Sequence, residues 1–225
     1  MPPTPRKLLL VFDLDGTLID SVRDLAASAS ELAVALGGRA LPADEVAGMV
    51  GDGAAQLVRR ALDAAGVAAP AQALERFLDI YDRRLLETTT AYPGVPEALA
   101  LASPRARLAV LTNKPLGPSR RILAALGLLE RFDAVIGGDS PLGRKPDPAG
   151  LHHLMADAPG LPTLLVGDSP IDEATAARAG VDFVFARYGF GAVRFTRPPA
   201  ARFEIDRPAD LAAVLDRVLA LSDGA

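Results

Sequence analysis

Short apolar runs separated by helical and polar stretches give the first prediction for this chain. Four runs have no alternating polar position, which is typical of strands buried on both faces of a sheet. They are Leu8–Phe12, Leu108–Leu111, Thr163–Val166 and Phe183–Phe185, with Ala134–Ile136 a weaker fifth. Helical patterns alternate with them at Ser119–Leu126, Pro170–Ala179 and Pro208–Leu221. The alternation predicts an α/β fold with a doubly wound, mostly parallel sheet.

The stretch between the first two strands breaks this alternation. Apolar residues recur there at helical spacing only, as in Leu25, Ala29 and Leu32. A crossover between parallel strands needs one helix, whereas this stretch is long enough for about four. We therefore predict a small helical cap domain at 21–89, inserted into a catalytic core domain of 1–20 and 90–225. The turn residues Pro93 and Gly94 mark the return to the core.

Polar residues follow each of three predicted strands. They are Asp13, Asp15 and Thr17 after the first, Thr112, Asn113 and Lys114 after Leu108–Leu111, and Asp168, Ser169 and Asp172 after Thr163–Val166. A fourth polar segment, which contains Lys145, follows Ala134–Ile136. Ligands bind at the carboxyl ends of strands in open α/β sheets, so we expect the four segments to converge. Two carboxylates about 4 Å apart repel by roughly 4 kcal/mol at an effective dielectric near 20, so Asp13 and Asp15 also predict a nearby cation.

Each segment taken alone has an ordinary structural interpretation. Asp-Gly is a common turn, and Ser169 followed by proline is a common helix start. The lysines favour a chemical role, because the chain has 21 arginines and only 3 lysines, and Lys114 and Lys145 both lie in these segments. An ammonium is a compact point charge that a guanidinium does not replace. The four segments together therefore indicate a site.

Composition excludes several classes of protein. The 225 residues, half of them hydrophobic, are enough for one large domain or a core with a modest insertion. The absence of cysteine excludes disulfides, zinc–thiolate sites and cysteine nucleophiles. A net charge of −4 gives no reason to expect a nucleic-acid partner. We find no targeting segment and no apolar run near the roughly 20 residues of a membrane span, so we expect a soluble, cytoplasmic protein with no membrane partner, and its oligomeric state stays open.

The four segments resemble the motifs of the haloacid dehalogenase superfamily of phosphotransferases. Asp-x-Asp-Gly-Thr, Thr-Asn-Lys, Lys-Pro-Asp-Pro and Gly-Asp-Ser-x-x-Asp occur in the family's order over essentially the whole chain. Within the superfamily the chain is most similar to the phosphoglycolate phosphatase group, which also shares the segments 50–53 and 92–95. The resemblance implies a Rossmann-like core with an inserted cap and a Mg²⁺-dependent phosphomonoesterase.

The resemblance also implies a role for each motif residue. Asp13 would attack phosphorus to form an aspartyl-phosphate, and Asp15 would act as general acid and then general base. Mg²⁺ would be held by the carboxylates of Asp13 and Asp168 and the backbone carbonyl of Asp15. The phosphate would be bound by Thr112, Asn113 and Lys145, with Thr17, Ser169 and Asp172 supporting the site. For Asp172, two roles stay open: capping of a helix, and support of the metal or of Lys145. We expect Lys114 to be structural or peripheral. We expect His152 and His153 to be non-catalytic.

The substrate is less constrained than the reaction. We expect a small phosphorylated metabolite, with 2-phosphoglycolate as the first substrate to test. A sugar-phosphate mutase of the β-phosphoglucomutase type, a pyrophosphatase and a nucleotidase remain alternatives, and a non-catalytic binding protein is a remote one. Relatives that are dehalogenases lack the second aspartate, and phosphonatases need a cap lysine that this chain lacks. We expect the loop Gly51-Asp52-Gly53 to reach the site, with a substrate carboxylate bound by one of Arg59, Arg60, Arg83 or Arg84.

Overall fold

The computed structural model describes residues 6–222 and contains a six-stranded parallel sheet at its centre. Residues 1–5 and 223–225, which the predicted core includes, lie outside the described residues. The sheet order is β5-β4-β1-β6-β7-β8, and every neighbouring pair in it is parallel. The strands are β1 (Leu8–Phe12), β4 (Ala106–Leu111), β5 (Ala134–Ile136), β6 (Thr163–Gly167), β7 (Asp182–Ala186) and β8 (Phe203–Ile205). The predicted doubly wound, mostly parallel sheet is confirmed.

The sheet is buried on both faces, which explains why its strands appear in the sequence as unbroken apolar runs. In β1, Leu8, Leu10 and Phe12 pack into one apolar cluster, whereas Leu9 and Val11 pack into a second cluster. Successive strand residues point to opposite faces, so a strand covered on both sides needs apolar residues at every position. The central strand is therefore fixed between two helical layers, and its carboxyl end is held rigidly.

Helices cover both faces of the sheet. The helices outside the 21–89 stretch are α5 (Val95–Ala102), α6 (Leu116–Ala125), α7 (Ala149–Ala156), α8 (Pro170–Ala179) and α9 (Leu211–Ser222). The buried apolar residues of α5, α6 and α9 belong to the cluster around Leu10, and those of α7 and α8 to the cluster around Val11. Within the described part of the chain, no helix combines the length and the apolar composition needed to cross a bilayer.

The sequence pattern missed the edge strand β8, which has three residues. The strands β2 (Ile19–Asp20) and β3 (Thr90–Ala91), of two residues each, lie where the sequence predicts that the chain leaves and re-enters the core. Such segments are too short to show a period. Helix α6 begins at Leu116, because the preceding Pro115 is its N-cap. The predicted helix from residue 208 is a short 3-10 turn over Pro208–Asp210 followed by α9.

Four helices lie between β2 and β3, and we call them with their loops the helical insertion. They are α1 (Val22–Ala35), α2 (Ala43–Ala47), α3 (Ala54–Ala65) and α4 (Ala73–Arg84). The other three helices all pack against α1, with Leu32 and Phe77 almost completely buried among them. The antiparallel pair β2–β3 carries the chain out of the sheet and back again. The number of helices agrees with the sequence pattern.

A buried carboxylate joins the two ends of the helical insertion. Asp24, in the first turn of α1, is 1% exposed. It accepts hydrogen bonds from the backbone and the hydroxyl of Thr88 and from the backbone and the hydroxyl of Thr89, at 2.5–3.0 Å. Burial opposes the charged form, but these hydrogen bonds outweigh it and hold the pKa of Asp24 below its usual range. The two chain crossings are therefore fixed to each other.

Replacing Asp24 should lower the stability of the fold more than replacing an exposed acidic residue does. Asp24→Ala leaves the backbone donors of Thr88 and Thr89 without their partner, and we expect a loss of about 3 kcal/mol in the free energy of unfolding, measured in urea. Because the folded-state pKa is depressed, this stabilisation is present above the ordinary pKa and is lost as pH falls through the depressed one. The exposed Asp44 in α2 is the matched control, with an expected change within about 0.5 kcal/mol. Equal effects at both positions would contradict this account.

Candidate active site

The carboxyl ends of β1 and β6 bring a lysine and two aspartates into direct contact. The Nζ atom of Lys145 lies 2.6 Å from Oδ1 of Asp13 and 2.6 Å from Oδ1 of Asp172. All three residues are buried. Asp13 follows β1, Asp172 lies in the first turn of α8 after β6, and Lys145 comes from the long loop after β5. Three of the four polar segments thus converge, as the strand positions predicted.

Asp168 completes a cluster of three buried carboxylates. An oxygen of each of Asp13, Asp168 and Asp172 lies within 4.8 Å of the others. Asp168 is 1% exposed, and its Oδ2 accepts a 2.7 Å hydrogen bond from the backbone of Gly191. The loop after β1 also passes against it: Gly16 has φ +89°, and a Cβ added there would lie 1.9 Å from Oδ2 of Asp168. Only glycine fits both the backbone conformation and this contact.

The site carries more negative than positive charge. Among the residues that the structure describes, the four carboxylates of Asp13, Asp15, Asp168 and Asp172 face two ammonium groups, those of Lys114 and Lys145. Burial, together with the neighbouring carboxylates, raises the pKa of Asp13 to about 7, although Lys145 acts against this. The pKa of Asp168 is raised well above its usual range by burial and by the charges of Asp172 and Asp13. A bound divalent cation would compensate this excess.

The donor set fits a hard cation such as Mg²⁺. Carboxylate oxygens are the ligands that such ions prefer. Both oxygens of Asp172 already accept hydrogen bonds, Oδ1 from Lys145 and Oδ2 from Ser169. Asp13 and Asp168 are therefore better placed than Asp172 to give an oxygen to a metal. These two carboxylates agree with the ligands that the family motifs imply.

Asp15 is held by a lysine and a serine. The Nζ of Lys114 donates to its Oδ1 at 2.8 Å and to its Oδ2 at 3.0 Å, and the hydroxyl of Ser21 donates to Oδ1 at 2.5 Å. Lys114 is 7% exposed, and its charge is balanced by this pairing. Of the two roles expected for Lys114, the peripheral one is wrong, because its ammonium contacts an aspartate of the site directly; a structural role agrees with this pairing.

Thr112 and Asn113 lie beside the aspartates. Both are buried, and Asn113 donates from Nδ2 to the backbone carbonyls of Gly51 and Lys145, at 2.9 Å each. In the described part of the chain, Oδ1 of Asn113 and the hydroxyl of Thr17 have no hydrogen-bond partner. Asn113 therefore connects three parts of the chain: the loop after β4, the segment of Lys145 and the helical insertion.

Asp172 performs both of the roles that the sequence left open. Its Oδ2 accepts hydrogen bonds from the backbone and the hydroxyl of Ser169, at 3.1 and 2.6 Å, at the start of α8. Its Oδ1 holds Lys145. A residue that caps α8 thus also fixes the position of the buried lysine.

The loop Gly51-Asp52-Gly53 of the helical insertion reaches the site, as expected. Asn113 holds it from one side. From the other side, Arg194 donates to the carbonyl of Val50 and to Asp52, at 2.6 Å each. Arg194 ends a short 3-10 helix, Phe190–Arg194, which also contains Gly191, the donor to Asp168. No sequence motif pointed to Arg194, which lies in the loop after the predicted strand Phe183–Phe185 and not directly at its end.

A narrow cavity lies between the helical insertion and the strand ends. Its volume of about 50 Å³ leaves space for only a few water-sized groups. The polar side chains that line it are those of Asp13, Asp15, Tyr81, Thr112, Asn113 and Lys114. Most of the remaining lining is apolar and includes Leu25, Leu57 and Phe77. Tyr81 was missed as a site residue, because its spacing with the apolar residues of α4 is typical of a packing position.

The four arginines expected to bind a substrate carboxylate do not line this cavity. Arg83 and Arg84 pair with Glu31, and Arg60 pairs with Asp52. Arg59 lies 3.7 Å from Asp63 on an exposed helix face. His152 and His153 are exposed on α7. None of these side chains contacts the cluster of aspartates in the described structure.

Comparison with known proteins gives consistent matches. Residues 10–186 match the family described as haloacid dehalogenase-like hydrolase. A protein named phosphoglycolate phosphatase from Cereibacter sphaeroides is 41% identical over 186 residues, covering 80% of this chain and 85% of the relative. One from Rhodospirillum rubrum is 42% identical over 195 residues and covers 80% of each chain. The crystal structure of a predicted phosphoglycolate phosphatase from Haemophilus somnus superposes with a TM-score of 0.82 at 31% identity, covering 94% of this chain and 98% of that one.

Proposed function

Because this chain belongs to the haloacid dehalogenase-like hydrolase family, we propose that it hydrolyses small phosphomonoesters through a phosphorylated aspartate, with 2-phosphoglycolate as its substrate. The observation that carries the proposal is the buried contact of Lys145 with Asp13 next to Asp168. A lysine between buried aspartates at strand ends suits phosphoryl transfer, which depends mostly on positioning and on electrostatic stabilisation. The relatives named phosphoglycolate phosphatase supply the substrate.

Asp13 is the nucleophile of this proposal. Its carboxylate forms a bond to phosphorus while the bond from phosphorus to the ester oxygen breaks. Lys145 holds the carboxylate in place at 2.6 Å and offers positive charge to the phosphoryl oxygens during transfer. Thr112 and the backbone of Asn113 bind those oxygens. The result is an aspartyl-phosphate and a free alkoxide that needs a proton.

Asp15 handles the protons. It donates one to the leaving alkoxide and then takes one from the water that attacks the phosphorus of the aspartyl-phosphate. The second step breaks the bond between phosphorus and Asp13, releases inorganic phosphate and restores both carboxyl groups. Lys114 and Ser21 fix the orientation of Asp15 through both steps.

The metal of this proposal is Mg²⁺, held by the carboxylates of Asp13 and Asp168 and by the backbone carbonyl of Asp15. When bound, it neutralises part of the charge on the phosphoryl group and on the aspartates. Gly191 and Gly16 keep Asp168 in position for this role. Asp172, with both oxygens engaged, supports Lys145.

The helical insertion is a cap domain in this proposal, and residues 21–89 move as a unit over the core of 1–20 and 90–225. The pair β2–β3 is the hinge, and the loop Gly51-Asp52-Gly53 closes the cavity over a bound substrate. The narrow, largely apolar cavity under the helical insertion favours a small substrate such as 2-phosphoglycolate over a sugar phosphate or a nucleotide. Closure excludes water from the phosphoryl group until the alkoxide product has left.

The test is phosphate release from a panel of phosphorylated metabolites. We expect 2-phosphoglycolate to be hydrolysed with the highest kcat/KM, ahead of β-glucose 1-phosphate, pyrophosphate and nucleoside monophosphates. Turnover should need Mg²⁺ and should fall to background in excess EDTA, because the charge excess at Asp13 and Asp168 then stays uncompensated. A folded protein that releases no phosphate from any member of the panel would contradict the proposed function.

A further inference from the structure

Tyr81 presents an unused hydroxyl to the cavity. Its side chain comes from α4 of the helical insertion, lines the cavity and is only 4% exposed. In the described part of the chain, its hydroxyl donates to no acceptor, and the ammonium of Lys114 lies beside it. Burial raises the pKa of Tyr81 to about 12, so the hydroxyl keeps its proton and is a donor. Buried polar groups in folded proteins are almost always paired, and an unpaired donor at a cavity wall therefore indicates a ligand acceptor.

Lys114 is the only cationic side chain among the residues that line the cavity. Its Nζ lies 4.8 Å from the centroid of the Tyr81 ring and 2.8 and 3.0 Å from the two oxygens of Asp15. An ammonium has three N–H donors, and Asp15 occupies at most two of them. The third N–H is on the side of the cavity where Tyr81 lies, next to its ring and hydroxyl.

A charged ligand in this cavity needs polar partners such as Tyr81 and Lys114, because the rest of the cavity wall is mostly apolar. Leu25, Leu57, Phe77 and Leu78 give the wall an apolar surface, and an anion placed against it would be stripped of water. A buried charge needs a charged partner and hydrogen bonds to offset the loss of hydration. The arginines of the helical insertion do not supply them, because none of them is among the residues that line the cavity.

We propose that Tyr81 and Lys114 bind a carboxylate at the end of the substrate away from the phosphate, and that they restrict the enzyme to short phosphomonoesters that carry such a carboxylate. This inference rests on the proposed function and adds the residues that select the substrate. One carboxylate oxygen accepts from the hydroxyl of Tyr81 and the other from the ammonium of Lys114. Tyr81 enters from the helical insertion and Lys114 from the core, so a carboxylate substrate contacts both parts of the protein.

The experiment compares two substrates that differ at this end only, 2-phosphoglycolate and ethyl phosphate. We measure the ratio of their kcat/KM values in the wild type, in Tyr81→Phe and in Lys114→Met. Tyr81→Phe should lower the preference for 2-phosphoglycolate about tenfold, mainly through KM, because it removes one hydrogen bond to a charged group. Lys114→Met should lower the preference at least as much, and it should also lower kcat on both substrates, since Asp15 loses its partner.

The control is Arg83→Gln, an exposed side chain outside the cavity, for which the preference should stay within about twofold of the wild type. Tyr81→Phe removes a single oxygen atom, so this variant carries the test if Lys114→Met does not fold. A residue with a purely structural role would lower both rates together and leave the ratio unchanged. An unchanged ratio in folded Tyr81→Phe would overturn this proposal while the proposed function stands. A wild type that hydrolyses neither substrate would overturn both.

Discussion

Asp13→Asn should abolish phosphatase turnover and leave the fold intact. An amide cannot attack phosphorus to form a stable acyl phosphate, so we expect kcat to fall by about a thousandfold or more. The fold should persist, because Asn has nearly the same shape and removes a charge that burial and nearby carboxylates already disfavour. Lys145 keeps its second partner, Asp172, at 2.6 Å. Phosphate release and thermal unfolding, measured on the same preparation, check both halves of the prediction.

Asp15→Asn is the matched comparison for this variant. It removes the acid and base of the proposal and leaves the nucleophile in place. Its loss of rate should therefore depend on the leaving group, large for 2-phosphoglycolate and smaller for p-nitrophenyl phosphate, whose phenolate leaves without a proton. Asp13→Asn should be inactive on both substrates. If Asp13→Asn kept more than about one hundredth of the wild-type rate, the covalent mechanism would be wrong.

Lys145→Met should damage both activity and stability. The side chain of Lys145 is 2% exposed and touches two buried aspartates. Removing its charge leaves Asp13, Asp168 and Asp172 together without a buried cation beside them. Breaking a buried ion pair in this way costs about 3–5 kcal/mol of unfolding free energy. The loss of a positive charge next to the phosphoryl group should lower kcat by at least about a hundredfold.

A double variant separates the two effects. In Lys145→Met, the buried carboxylate of Asp172 loses its cationic partner. Adding Asp172→Asn removes that unpaired charge, so part of the lost stability should return in urea unfolding. Activity should not return, since the charge beside Asp13 is still missing. Recovery of turnover in the double variant would mean that Lys145 acts only by stabilising the fold.

The central part of the fold followed from the sequence for a physical reason. Strands covered on both faces need apolar residues at nearly every position; β1 is apolar throughout, and β6 is apolar at 164–166. The carboxyl end of such a strand is fixed by its neighbours, so the polar residues directly after it could be placed without coordinates. The closeness of Asp13 to Asp168 is of this kind. It depends on the order of the strands, which places β1 beside β6.

The contacts made by side chains of the helical insertion did not follow from the sequence. The apolar period of α4 places Tyr81 on a buried face but does not show that this face turns toward the strand ends. The arginines illustrate the same limit, because their pairing with Glu31 and Asp52 depends on how helices pack. Lys114 was underestimated for a different reason: its partner Asp15 is distant in sequence and adjacent only across the sheet.

The 3-10 helix Phe190–Arg194 limits how the enzyme can be re-engineered. It binds Asp168 through Gly191 and the helical insertion through Arg194, which holds both the carbonyl of Val50 and the carboxylate of Asp52. A helical insertion grafted from a relative would therefore have to bring an acid to position 52 to meet Arg194. Without that acid, the graft would leave a partly buried guanidinium unpaired, three residues from the donor that holds Asp168. Chimeras with a new substrate preference should accordingly exchange residues 190–194 together with the helices.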